Sequence, residues 1–245
     1  MDTLTEILSD LRAEYERLDG ILESLSPAEW AAASDAPGWT VSDVVVHLAT
    51  SEEGVAITIA NAEDEWTDRD GALDDEIALG VAANAGPPEQ VLQRWRAATT
   101  SALDALGAAD PDQRVRWAAA PLRPASLATT RLAEHWAHGL DIAVPLGIDF
   151  PDTDRLHHIA WLGHRTIPYG CDLIGVEAQP VRAELTAPSG APWIFGPEDA
   201  ATTIRGDAGA FCRVGAQRLR PDESGLIGEG PFAAQALAVL RNYAA

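Results

Sequence analysis

Residues 124–143 read PASLATTRLAEHWAHGLDIA. Pro124 suits the first turn of a helix, where its missing N–H is no loss. Apolar residues such as Leu132 and Ile142 then recur at helical spacing, which predicts a long helix over about 124–144. Glu134 and His138 stand four residues apart on it. Residues at i and i+4 lie on one face about one turn apart, so two ligand atoms can close on one ion without bending the backbone. Gly139 leaves room for close helix packing or a ligand, and Arg131 is free to point away from that face.

A partner for this helix stands upstream. Residues 38–49, GWTVSDVVVHLA, follow a Pro37–Gly38 turn. Thr40 and Asp43 have the spacing of a capping box, which satisfies the first orphan amides of a helix. The helix should run from about Val41 to Ala62, with Val44, Val45, Leu48, Val55, Ile57 and Ile59 marking it as central. Two more long helices are legible. One covers 3–25, with Leu4, Ile7, Leu11, Leu18 and Leu22 on one face. The other opens at Pro87–Pro88 and ends at Gly107. Ser26–Pro27 starts a short helix, residues 66–86 read as a loop or short helix beside the site, and a further helix covers 153–168.

The pattern changes after about residue 178. VRAELTAPSGAPWIFG, residues 181–196, alternates around a Ser-Gly turn and predicts a hairpin. Residues 201–206 predict another strand, and two helices follow it. The expectation is a helical, metal-binding body over 1–175 and a small α+β domain over 176–245, that is, a mainly α chain with an α+β tail.

Composition narrows the function. Of 245 residues 38 are Asp or Glu and 17 are basic, a formal net charge of -21. Such a surface repels phosphate backbones and anionic membranes, so neither nucleic acid nor a membrane is an expected partner. Every basic residue is arginine, which excludes Schiff-base lysine chemistry and a lysine phosphate loop. Cys171 and Cys212 are far apart and outside any CxxC context, and read as reduced thiols. With no apolar signal core at the N-terminus and no stretch of about 18 apolar residues, a cytoplasmic protein is expected. The sequence sets no oligomeric state.

Glu134 and His138 need a third ligand to make a metal site, and His47 is the best candidate. It sits in an otherwise apolar helix, where a buried histidine needs a partner. Two histidines and one carboxylate form a zinc shell that leaves a position open for water or substrate. Each element also has a plainer reading: His47 as a satisfied core residue, Glu134–His138 as a surface ion pair. His157 and His164, seven apart, form a rival cluster. Trp39 and Trp136 either line the cavity or simply pack. Asp141, three after His138, either orients that ligand or makes a bond local to the helix.

Taken together, GWTVSDVVVHLA and the later TTRLAEHWAHGLDIA resemble the DinB-like metal-binding superfamily, and within it the mycothiol-dependent maleylpyruvate isomerase group. Residues 181–218 resemble that group's appended domain, which is similar to sterol carrier protein type two. The resemblance implies a four-helix bundle and a divalent metal, zinc by expectation, on His47, Glu134 and His138. It implies a fourth position for water or a low-molecular-weight thiol such as mycothiol, and a small electrophilic substrate that is isomerised or conjugated. It also implies an important arginine in the C-terminal domain. Arg218 is the nearest positional match, with Arg213 and Arg220 close by. Two other readings stay open: a thiol-independent metal hydrolase or tailoring isomerase, and a non-catalytic protein that binds metal and ligand.

Overall fold

The computed structural model describes residues 3–61, 73–117 and 120–243. Two compact units divide at Phe150/Pro151.

In the first unit, α1 (Thr3–Ser24) buries Leu4, Ile7, Leu11, Tyr15, Leu18 and Leu22, a stripe of three- and four-residue steps. The short α2 (Pro27–Trp30) starts at Ser26, whose hydroxyl and Glu29 form a reciprocal capping box. Thr40 and Asp43 do the same for α3 (Val41–Ala60). Then come α4 (Leu73–Ala83), α5 (Pro88–Ala108) and α6 (Pro124–Ala143). The 66–86 segment is thus helical in its second part; residues 62–72 lie outside the described residues. The four long helices pack on one another: α3 against α5, α1 against α6 and α5, and α6 also against α3. Two details differ from the sequence pattern. Ile57 is 62% exposed although it was expected in the core. The most thoroughly buried helix is α6, including the charged residues Arg131 and Asp141.

In the second unit, α7 (Leu156–Arg165) stops at Thr166, and Pro168 sits in the first turn of a separate α8 (Ile167–Leu173). The one helix expected over 153–168 is therefore two, because proline cannot supply the N–H that a continuous helix needs. β1 (Val181–Thr186) pairs antiparallel with β2 (Pro192–Phe195) across the Ser189–Gly190 turn. It pairs parallel with β3 (Thr202–Asp207) on its other side. Asp207 caps α9 (Ala208–Gly215), accepting from the Ala210 amide at 2.8 Å. β4 (Ile227–Glu229) adds to β3, giving the sheet order β2-β1-β3-β4, and α10 (Ala233–Val239) follows. Sequence pattern missed β4, whose three residues are all exposed and show no alternation. α7 packs on α9 and β2. That packing draws residues 151–175 into the second unit and puts the division 25 residues before the expected one. Among the described residues, no helix is long and apolar enough to cross a membrane.

α9 ends in a Schellman turn: the Arg218 amide bonds Arg213 O at 2.9 Å and the Gln217 amide bonds Val214 O at 3.0 Å. The left-handed position, usually glycine, is Gln217, with φ 58°. Gln217→Gly is expected to raise stability by about 0.5–1 kcal/mol. The left-handed cost of roughly 1–2 kcal/mol is relieved, and glycine's larger unfolded-state entropy offsets part of the gain. Urea unfolding of the two proteins checks it.

Candidate metal centre

Three side chains from two helices meet in the first unit. His47 comes from α3, and Glu134 and His138 from α6. His47 Nε2 lies 2.9 Å from Glu134 Oε1, and His138 Nε2 lies 3.5 Å from the same oxygen. One potential ligand atom from each residue falls within 4.8 Å of the others. With arms of about 2.0–2.2 Å, one cation reaches all three after shifts of a few tenths of an ångström. Two imidazoles and a carboxylate also match the donor set of an open zinc site. Among the described residues this is the one group of three or more His, Cys, Asp or Glu side chains so placed.

Behind His138 stands Asp141. His138 Nδ1 donates to Asp141 Oδ2 at 2.8 Å, and Asp141 itself is buried. A carboxylate only accepts, so Nδ1 carries the proton, and the lone pair of the neutral ring is left on Nε2, toward Glu134. This is the carboxylate–histidine arrangement that orients metal ligands and raises their basicity. The same bond is also local to the helix, so both sequence readings of Asp141 describe one contact.

Trp39 covers the two histidines. Its ring lies 5.2 Å from that of His47 and 6.3 Å from that of His138, nearly parallel to the latter. A turn puts it there: Trp39 N bonds Ala36 O at 3.1 Å across Pro37–Gly38, with Gly38 at φ 82°. Proline followed by a left-handed glycine is the signature of a type II turn. The loop is tied to α6 where Asp35 N bonds Asp141 O at 2.9 Å. Trp136, by contrast, is 2% exposed and belongs to the core. Gly139 serves packing: a Cβ there would lie 2.5 Å from the Phe150 ring.

The two histidines are tuned in opposite directions. Burial pushes His47 below the ordinary imidazole value, against the pull of Glu134. Burial also acts on His138, but its bonds to Asp141 and Glu134 outweigh that and raise it. For Glu134, burial would raise the carboxyl; bonds from His138 and His47 and the charge of Arg131 hold it well below the usual range. A cation must displace the proton from His138. Affinity for Zn²⁺ is therefore expected to hold above the raised His138 value and to fall as pH drops through it, earlier than for an isolated histidine near 6.5. In the metal-free protein the sign reverses. Stabilisation by protonated His138 is complete below about 6.5 and is lost as pH rises through its folded value. Chelator competition and urea unfolding between pH 5 and 9 check the two limbs (range set around the ordinary histidine value).

The rival histidines do not form a site. His164 Nε2 donates to Val181 O at 2.8 Å, and His157 packs against the rings of Trp193 and Phe195. Sequence reasoning missed His135 altogether. It is fully buried, donates from Nδ1 to Arg131 O at 3.0 Å and accepts from Trp95 Nε1 at 3.2 Å. Burial, then the Arg131 charge, push its pKa well down, so it stays neutral. Its one sequence signal was adjacency: next to Glu134 it must point about 100° away, into the core. Arg131 was expected to point away from the site, but it is buried and paired with Glu52 at 2.7 Å. The hydropathy pattern counts an arginine as outward and has no way to see that pairing.

The three candidate arginines lie in α9 and in the segment just after it. Arg213 makes a two-pronged pair with Asp152 at 2.6 and 3.0 Å, and Arg220 pairs with Asp222 at 3.0 and 2.9 Å. Arg218 donates to Ala216 O at 2.6 Å and lines a groove with Val214, Leu219, Leu237 and Leu240.

A cluster of two histidines and a glutamate on two packed helices, in a mainly α chain with a small four-stranded sheet, defines the class. The profile of the mycothiol maleylpyruvate isomerase N-terminal domain matches residues 11–143, and the chain belongs to that family. It is 36% identical over 220 residues to the uncharacterized protein Rv0036c of Mycobacterium tuberculosis strain H37Rv, covering 86% of this chain and 84% of that one. The uncharacterized protein MT0041 of strain CDC 1551 matches equally. Crystal structures of the mycothiol-dependent maleylpyruvate isomerase and of a histidine-to-alanine mutant of it share the fold. Each has a TM-score of 0.62 over 93% of this chain and 96% of that chain, at 19% and 18% identity.

Proposed function

We propose that this protein is a zinc-dependent enzyme that activates a low-molecular-weight thiol, mycothiol by family, for addition to a small electrophilic substrate. The observation that carries the reading is the convergence of His47, Glu134 and His138, with Asp141 bonded behind His138. A divalent cation held there would lower the pKa of a thiol at its open position and supply a nucleophile at neutral pH. The chain's own residues do the rest. Glu134 brings one negative charge, so the three ligands only partly neutralise a dication. Asp141 fixes the His138 ring and its tautomer. The Trp39 ring restricts water on one side of the pair. Among the described residues no fourth side chain joins the group, which favours chemistry over a purely structural ion.

Addition of the thiolate sulfur to an electrophilic carbon has two outcomes. Loss of the thiolate after bond rotation gives an isomer, and protonation of the adduct carbon with the thiol retained gives a conjugate. Arg218 is our candidate for binding a carboxylate, as the nearest positional match to the C-terminal arginine that the family resemblance implies, and its planar fork suits that group. The two cysteines are free and buried, which fits a reducing cytoplasm. The test mixes protein, Zn²⁺, mycothiol and an electrophile such as a maleyl compound, and follows thiol-dependent loss of the electrophile, because isomerisation returns the thiol. Wild type should accelerate it and His138→Ala should not; equal rates would remove the thiol reading.

A further inference from the structure

One layer along from the ligands lies a second buried polar group. Glu52 stands five residues after His47 on α3, and Arg131 three before Glu134 on α6. Arg131 Nε donates to Glu52 Oε1 at 2.7 Å, and the two side chains are 4% and 0% exposed. His135 Nδ1 lies 3.5 Å from the same oxygen, and the Tyr15 ring meets His135 edge-on at 4.5 Å.

The arrangement is odd for a cation site. A buried guanidinium one turn from a carboxylate ligand repels the cation and competes for the ligand. Arg131 and Glu134 have the i,i+3 spacing at which side chains of opposite charge meet on a helix. Electrostatically, Arg131 already acts on Glu134 as well as on Glu52. It also has a donor to spare, since Nη2 is buried with no hydrogen-bond partner among the described residues. What holds the guanidinium off is the short bond to Glu52, with the Trp117 ring 5.3 Å away on another side.

We propose that Glu52 is a positioning residue of the metal centre: by engaging Arg131 it neutralises that cation and leaves Glu134 available as a ligand. The inference rests on the metal reading above. It makes an asymmetric claim. Removing the glutamate alone must damage the centre; removing both charges must restore it. A merely space-filling role for Glu52 predicts no rescue of metal affinity by a second core substitution.

The experiment compares wild type, Glu52→Gln and the double variant Glu52→Gln/Arg131→Met. Zn²⁺ affinity is read by competition with a chromophoric chelator, under conditions where circular dichroism shows each protein folded. Co²⁺ absorption reads the ligand geometry. Glu52→Gln should bind at least about 10-fold more weakly, as loss of an outer partner of a ligand usually does. The double variant should return to within about threefold of wild type, with the Co²⁺ spectrum of wild type, because buried ion pairs are commonly replaceable by apolar pairs. Unchanged affinity in Glu52→Gln overturns the inference, as does a folded double variant that binds as weakly as the single. If Glu52→Gln does not fold, the double variant decides; its own failure to fold would also overturn the inference, since the pair would then serve folding itself. Wild type that binds no Zn²⁺ refutes the metal reading beneath it, a result distinct from all of these.

Discussion

Glu134→Gln is expected to abolish stoichiometric Zn²⁺ uptake while leaving the fold standing. Glutamine keeps the shape of the side chain, and its amide oxygen can still face His47 and His138. The Glu134 side chain is 25% exposed, so water reaches the site and softens the loss of its charge. What goes is the one anionic donor of the three. The nearby Arg131 cation, no longer opposed by Glu134, then adds repulsion at the site. Loss of an outer-shell partner usually costs 10–100-fold in affinity; loss of the charged ligand itself should exceed that upper figure. Chelator competition measures the affinity and urea unfolding the stability. Binding within tenfold of wild type would mean that Glu134 is not a ligand.

Trp136→Ala should do the reverse. Trp136 is two residues from both Glu134 and His138 on α6, so it points away from the ligand face. It is 2% exposed and among the largest fully buried side chains. Truncating such a ring costs about 3–5 kcal/mol through lost burial and the cavity left behind. The thermal midpoint should fall sharply. The fraction that remains folded at low temperature should still bind one Zn²⁺ per chain with wild-type affinity, since Trp136 sits off the face that carries Glu134 and His138. A loss of metal in the folded fraction would place Trp136 in the site's support rather than in the core alone.

Much of the centre was legible because its cues are local. The capping box at Thr40 and Asp43 fixes where α3 starts, and so which way His47 faces. The four-residue step from Glu134 to His138 needs only a helix to become a shared face, and Pro37–Gly38 announces the turn that brings in Trp39. The layer of Glu52, Arg131 and His135 was not legible. Each of these side chains is buried only because a partner distant in sequence satisfies it, and hydropathy scores them one at a time. β4 was missed for the opposite reason: nothing about its exposed residues is patterned, and its pairing with β3 alone makes it a strand. The boundary near residue 150 was hidden because α7 and α8 look like any amphipathic helices; which surface they join is decided by packing.

The division at Phe150/Pro151 also bears on how such proteins diversify. All three candidate ligands, with Asp141, Trp39 and the Glu52–Arg131 pair, come from the first 150 residues. Arg218 and its groove belong wholly to the second unit. Drift in the groove-bearing unit therefore leaves the proposed ligand set intact. Selection can reshape the groove after residue 150 without re-inventing the His47–Glu134–His138 cluster before it.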